Sequence, residues 1–312
     1  MRVAVILNSG AGTAASMECK ALGERLEKAF AAHSVQAEMH VCQGAELSST
    51  ARRLAASKVD AVVAAGGDGT VSTVACALVG GDVPFAVLPL GTLNHFAKDI
   101  GMPLDLDEAV AAIATGTRAA VDVGEVNGRC FVNNSSIGLY PEMVVAREEQ
   151  RKTTGRKKWL AMVIASLRVL KRFPLLKVRV SAGGKDISST TPFVFIGNND
   201  YETSALALGK RARLDRGHLS LYMIHCRGRF HMFWLMVRAV MQRLEAVRDF
   251  EYQPVDEVVV RLSRRRRMKV SLDGEVVAMD SPLTFRTRPG ALPVILPPAS
   301  EAVEREDAER AA

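Results

Sequence analysis

The chain has 312 residues, 48% hydrophobic and 24% charged, which excludes a wholly disordered chain and gives enough material for one large core or two ordinary ones. A net charge of +7 and a pI near 9.3 favour an anionic partner, but 5% aromatic content and the absence of RRM, KH and zinc-finger patterns speak against nucleic acid. Five scattered cysteines, odd in number and never in C-x-x-C spacing, argue against a disulfide framework or a thiolate metal site and point to a reducing cytosol.

The opening MRVAVILNSGAG has an apolar run, Val3 to Leu7, too short for a signal peptide's core, and reads as a first strand. No charge-free apolar stretch approaches the roughly 18 residues of a membrane span. The expected location is therefore the cytoplasm, at most peripheral on the inner membrane face. Helical spacing over ASMECKALGERLEKAFAAH and ELSSTARRLAAS, and strand composition in AEMHVC, VDAVVAA and PFAVLPL, give an alternation of strands and helices up to about residue 122. Such alternation predicts a layered α/β domain with a parallel sheet over 1–122, its ligands at the carboxyl ends of the strands. Beyond it, GEVNGRCFVNNSSIGL, LLKVRVSA, TPFVFIGNN, HLSLYMIHC, DEVVVRLS, MKVSLDG and EVVAMDS are short and strand-like, predicting a mainly β, sandwich-like domain over 123–298. Two helical segments, about 159–172 and 229–247, interrupt it. The charged tail, 299–312, reads as a frayed end.

Three glycine-bearing loops follow strands of the first domain. Asn8-Ser9-Gly10-Ala11-Gly12 formally gives G-x-G-x-x-A, which serves strand-to-helix geometry as well as it serves a dinucleotide. Gly66-Gly67-Asp68-Gly69-Thr70 is more informative: its glycines admit close backbone approach, and successive N–H groups at a helix start cradle phosphate. Asp68 fits such a cradle in either of two ways, through Mg²⁺ or by accepting hydrogen bonds from the loop itself, and a simple aspartate cap is the bland alternative. The third loop, Pro89 to Lys98, adds Thr92 and Asn94. No P-loop pattern and no protein-kinase H-R-D or D-F-G occurs. Late in the chain, Asp273-Gly274-Glu275 joins two strand-like runs, as a hairpin turn would or as a catalytic carboxylate pair would.

GGDGT together with PLGTLNHFAKDIGMP strongly resembles the diacylglycerol kinase catalytic fold of bacterial lipid kinases and sphingosine kinases, with NAD kinases as more distant kin. NSGAG, CFVNNSSIGLYPEMV, FVFIGNN and SLDGEVV are similar to further segments of that family. The resemblance implies that Asn8, Ser9 and Gly10 help hold nucleotide phosphates, that Gly66, Gly67, Asp68, Gly69 and Thr70 form the main phosphate loop, and that Thr92 touches the nucleotide side. It implies ATP and Mg²⁺, with Asp68 at the metal, and either Asp273 or Glu275 as the base that receives the acceptor's proton. Cys42 stands where the family has a contacting threonine, and Arg216 where it has a metal-binding aspartate, with Asp215 one step away.

The reading is an ATP- and Mg²⁺-dependent lipid kinase acting on diacylglycerol or a related lipid at an anionic membrane surface; a homodimer is an admissible assembly. A kinase for a soluble acceptor, NAD kinase-like, and a non-catalytic nucleotide-binding regulatory protein stay as alternatives. Basic residues between Arg151 and Arg172 bracket an apolar helical stretch of interfacial composition, or of a core helix with solvated ends. The run Arg264 to Arg267 reads as a solvated turn or as a contact for phosphates or lipid headgroups.

Overall fold

The computed structural model describes residues 1–9, 13–138, 175–201, 211, 213–224, 250–263 and 266–298. Gly10, the segments expected as helices at 159–172 and 229–247, their basic flanks, Arg264, Arg265 and the tail lie outside the described residues. The chain divides into two compact units: Met1–Val123 with Glu202–Asp215 and Pro289–Ala312, and Gly124–Tyr201 with Arg216–Arg288.

In chain order the first unit runs β1 (Arg2–Asn8), α1 (Thr13–Ala32), β2 (Gln36–Cys42), α2 (Leu47–Ala55), β3 (Ala61–Gly66), α3 (Asp68–Leu78), β4 (Phe85–Pro89), α4 (His95–Asp99) and α5 (Leu106–Thr115). The strands pair in parallel in the order β2-β1-β3-β4. Val3 to Leu7, Ala61 to Ala65 and Phe85 to Leu88 are all buried, as continuous apolar strands of a parallel sheet covered on both faces must be. Helix α5 starts where the Asp105 carboxylate accepts the N–H groups of Asp107 and Glu108 at 3.0 and 3.1 Å.

The second unit is built from strands. It takes the end of β5 (Thr117–Val126), then β6 (Arg129–Phe131), β7 (Asn134–Gly138), β8 (Leu176–Ala182), β9 (Lys185–Thr191), β10 (Phe193–Asn198), β11 (Leu219–Ile224), β12 (Phe250–Val255), β13 (Glu257–Leu262), β14 (Arg267–Leu272), β15 (Glu275–Asp280) and the first part of β16 (Leu283–Leu296). One antiparallel sheet has the order β12-β11-β10-β7-β14-β15, and the other joins β16, β13, β8 and β9. Alternate residues of both sheets, among them Ile137, Val180, Ile196, Leu221, Val260, Val270 and Phe285, meet in one core, as in a sandwich.

The boundary expected at 122/123 is joined in the structure by a return of later chain to the first unit. Val294 of β16 pairs in parallel with Phe85 of β4. The Arg211 guanidinium is buried on Asp99, with Nη2 to Oδ2 at 2.8 Å. The cysteines need a correction: Cys76 and Cys130 each stand in a disulfide, against the expectation of reduced thiols, while Cys19 and Cys42 are free. Spacing along the chain carried no signal of this.

Candidate active site

Adjacent parallel strands β1, β3 and β4 end at one edge of the sheet, so the three glycine-bearing loops that follow them are neighbours. Backbone contact joins the second and third. Leu90 N–H donates to Gly66 C=O at 3.1 Å, and a Cβ on Gly91 would stand 2.6 Å from Gly67 Cα. A Cβ on Gly66 would in turn meet the Thr70 side chain at 2.7 Å. Gly91 leaves no room for a side chain between the two loops, and Gly66 none beside Thr70 within its own.

Asp68 is the staple. Its Oδ1 accepts His95 N–H at 2.7 Å and its Oδ2 accepts Asn94 N–H at 3.0 Å, so the carboxylate caps the start of α4 from another element. Of the two roles open to it in the sequence, ordering the loops is the one its geometry displays. Asn94 completes the clamp: at φ 52° it occupies the left-handed region, its Oδ1 accepts Gly91 N–H and its Nδ2 donates to Gly91 C=O, both at 2.9 Å.

The first loop is tied in by Asn8, whose Nδ2 donates to Thr70 Oγ1 at 3.0 Å, while Ser9 N–H donates to Cys42 C=O at 3.1 Å. Gly67 caps α3 in extended conformation, leaving the N–H groups of its first turn directed out of the helix start. Gly69 and Thr92 are exposed on the same loops, and Thr70 is buried beneath them. Cys42 is buried at the end of β2; desolvation lifts its thiol above the ordinary value, opposed by a hydrogen bond with Thr50.

Asp273 and Glu275 lie in the second unit, at the β14–β15 turn, and differ in surroundings. Asp273 has φ 47° and its carboxylate accepts the N–H groups of Val132, Asn133 and Asn134 at 2.8, 2.7 and 3.0 Å. The Asn198 amide donates to Val132 C=O at 3.0 Å, and the Tyr201 hydroxyl to Asn133 C=O at 3.0 Å, so the FVNN segment is held from three sides. Glu275 is exposed, and its side chain has no hydrogen bond among the described residues. The two acids of the D-G-E turn thus differ in what holds them: the Asp273 carboxylate is tied to the backbone and Glu275 is exposed.

Sequence reasoning placed Asn94 in the third loop but not its clamp, and missed Asp99 with Arg211, Asn133, Asn198 and Tyr201. Arg211 carried no signal, since its partner lies far away in the chain. Asp215 is gripped by Arg213 through Oδ1 to Nε at 2.9 Å and Oδ2 to Nη2 at 2.7 Å, and Arg216 N–H donates to Asn199 Oδ1 at 2.9 Å. Among the described residues no group of three or more His, Cys, Asp or Glu could hold a metal ion.

Residues 2–126 match the model of the diacylglycerol kinase catalytic domain, and residues 142–296 match that of the YegS C-terminal NAD kinase beta sandwich-like domain. Over residues 2–126 the chain is thus similar to the diacylglycerol kinase catalytic domain. The diacylglycerol kinase catalytic domain contains all three loops, and the sandwich domain contains the D-G-E turn. A protein named probable lipid kinase YegS-like from Citrobacter koseri is 39% identical over 99 residues, 30% of this chain and 33% of that one. Probable lipid kinase YegS from Escherichia coli O1:K1 is 38% identical over the same length, with the same shares. These alignments span about a third of the curated relatives' length. Two solved structures from Bacillus anthracis share the fold: a diacylglycerol kinase at 20% identity and TM-score 0.66, and a putative diacylglycerol kinase at 21% and 0.71. In each comparison 97% of this chain and 98% of the other is covered.

Proposed function

We propose that the protein is a lipid kinase that transfers the γ-phosphoryl group of ATP to a hydroxyl of diacylglycerol or a related lipid. The observation that carries the reading is the Asp68 staple: a carboxylate spent on holding two glycine loops together, so that their backbone N–H groups stand ready for phosphate. Phosphoryl transfer asks a protein chiefly for positioning and charge neutralisation. Gly66, Gly67, Gly69 and the first turn of α3 supply donors to the phosphates, Asn8 and Ser9 close one side, and Thr92 is free on the other.

Mg²⁺ fits this donor set. Each Asp68 oxygen accepts one backbone N–H and keeps a lone pair, and Mg²⁺ carried by phosphates needs only one or two protein carboxylates. Bound there, it would neutralise charge on the transferring group. Of the two candidate bases, Glu275 takes the proton of the lipid hydroxyl as the oxygen attacks phosphorus. Asp273 instead positions the FVNN segment through its three backbone hydrogen bonds. The family's membership in a fold shared with an NAD kinase-like sandwich supports a second reading, a soluble acceptor.

The test is transfer of labelled γ-phosphate from Mg·ATP into a lipid extract or into NAD. Label in a lipid supports the first reading, and label in NAD alone supports the second.

A further inference from the structure

We propose that the outer face of the β8–β9–β13 sheet is a separate anion site that takes phosphate-bearing groups, either the headgroups of an anionic bilayer or a soluble phosphate. A groove of about 490 Å³ opens there, lined by Lys177, Arg179 and Arg261 with Ser188, Ser189, Thr190 and Ser263, and edged by Val178 and Leu262. The strand register explains the grouping. Val178, Val180 and Val260 face the core, so Lys177, Arg179 and Arg261 must face outward, and Arg179 stands directly opposite Arg261 on the neighbouring strand.

Like charges opposed across a ladder are destabilising unless something neutralises them. No described ion pair does so here: Arg261 Nη1 donates only to Ser181 Oγ at 3.3 Å, and Lys177 and Arg179 pair with no acid. The nearby acids leave the groove positive. Asp186 is in register with Ser181 and pairs with no base, while Glu257 is bound by Arg286 at 2.6 Å. Two planar guanidinium forks, one ammonium and a rim of hydroxyl donors match a phosphate's oxygens, which accept from several donors at once. The groove is on the face of its sheet away from the core, whereas Asp273 and Glu275 belong to the other sheet, so the site is not the proposed transfer site.

The inference does not depend on phosphoryl transfer, and its test measures binding alone. The full chain is sedimented with phosphatidylcholine vesicles, with and without phosphatidylglycerol, and titrated separately with inorganic phosphate. Three proteins are compared: wild type, Arg179→Gln/Arg261→Gln, and Arg52→Gln/Lys58→Gln, which removes the same charge from an exposed surface of the other unit. Wild type binds anionic vesicles, the groove variant binds at least about tenfold more weakly, and the control stays within about twofold. Loss of inorganic phosphate binding with unchanged vesicle binding assigns the same groove to a soluble phosphate. A groove variant that keeps both kinds of binding, or a control that weakens as much as the groove variant, overturns the proposal.

Discussion

At the residue scale Asp68, Asp273 and Glu275 differ in what already holds them. Asp68 accepts one N–H on each oxygen, so Asp68→Asn replaces one acceptor with an NH₂ that faces a backbone donor. The expected outcome is a loss of about 1–3 kcal/mol in denaturant unfolding and a drop in phosphoryl transfer of about a hundredfold or more. Asp273→Ala strands three backbone N–H groups and puts alanine at φ 47°, so its first effect is on stability, about 3 kcal/mol or more. Glu275→Gln touches no described partner. It is expected to leave the unfolding curve and ATP affinity unchanged while lowering kcat about a hundredfold or more, which a paired calorimetric and kinetic measurement resolves.

At the scale of elements the site depends on how closely two loops approach. Gly91→Ala brings a methyl to 2.6 Å from Gly67 Cα, so the loops must part; loss of ATP binding with near-native circular dichroism is the expected pair of results. Helix α4 is anchored from its far end by the buried Arg211–Asp99 pair, and Arg211→Ala leaves an uncompensated carboxylate at a cost of about 3–5 kcal/mol in chemical unfolding. The strands and helices that position the loops were legible in the sequence because their apolar runs and periods are strong: VDAVVAA and its following helix fall within a residue or two of β3 and α3. Helix α5 went unread despite Asp105 and a helical run after it. β16 was hidden for a physical reason: Pro289 and Pro293 within it read as breaks, yet it continues for 14 residues. The GGDGT loop was visible as a strand-to-helix glycine loop, but that Asp68 bonds to the third loop is a tertiary fact with no local signature.

At the scale of the whole molecule, two units with separate cores carry the proposed donor and acceptor chemistry, the loops in the first and the D-G-E turn in the second. Net charge of +7 suits the anionic ligands that both the proposed transfer site and the outer groove would take. Among the described residues no helix is long and apolar enough to cross a membrane. In the proposed reading Mg²⁺ arrives on the phosphates of ATP beside Asp68, so EDTA is expected to stop transfer, with activity restored by added Mg²⁺. The most direct measurement is transfer of labelled γ-phosphate from Mg·ATP into a mixed-lipid extract by the wild type, Asp68→Asn and Glu275→Gln. The account predicts a labelled lipid with wild type and its loss in both variants, the second of which still binds ATP; label retained by Glu275→Gln, or no labelled lipid from a wild type that binds ATP, would contradict it.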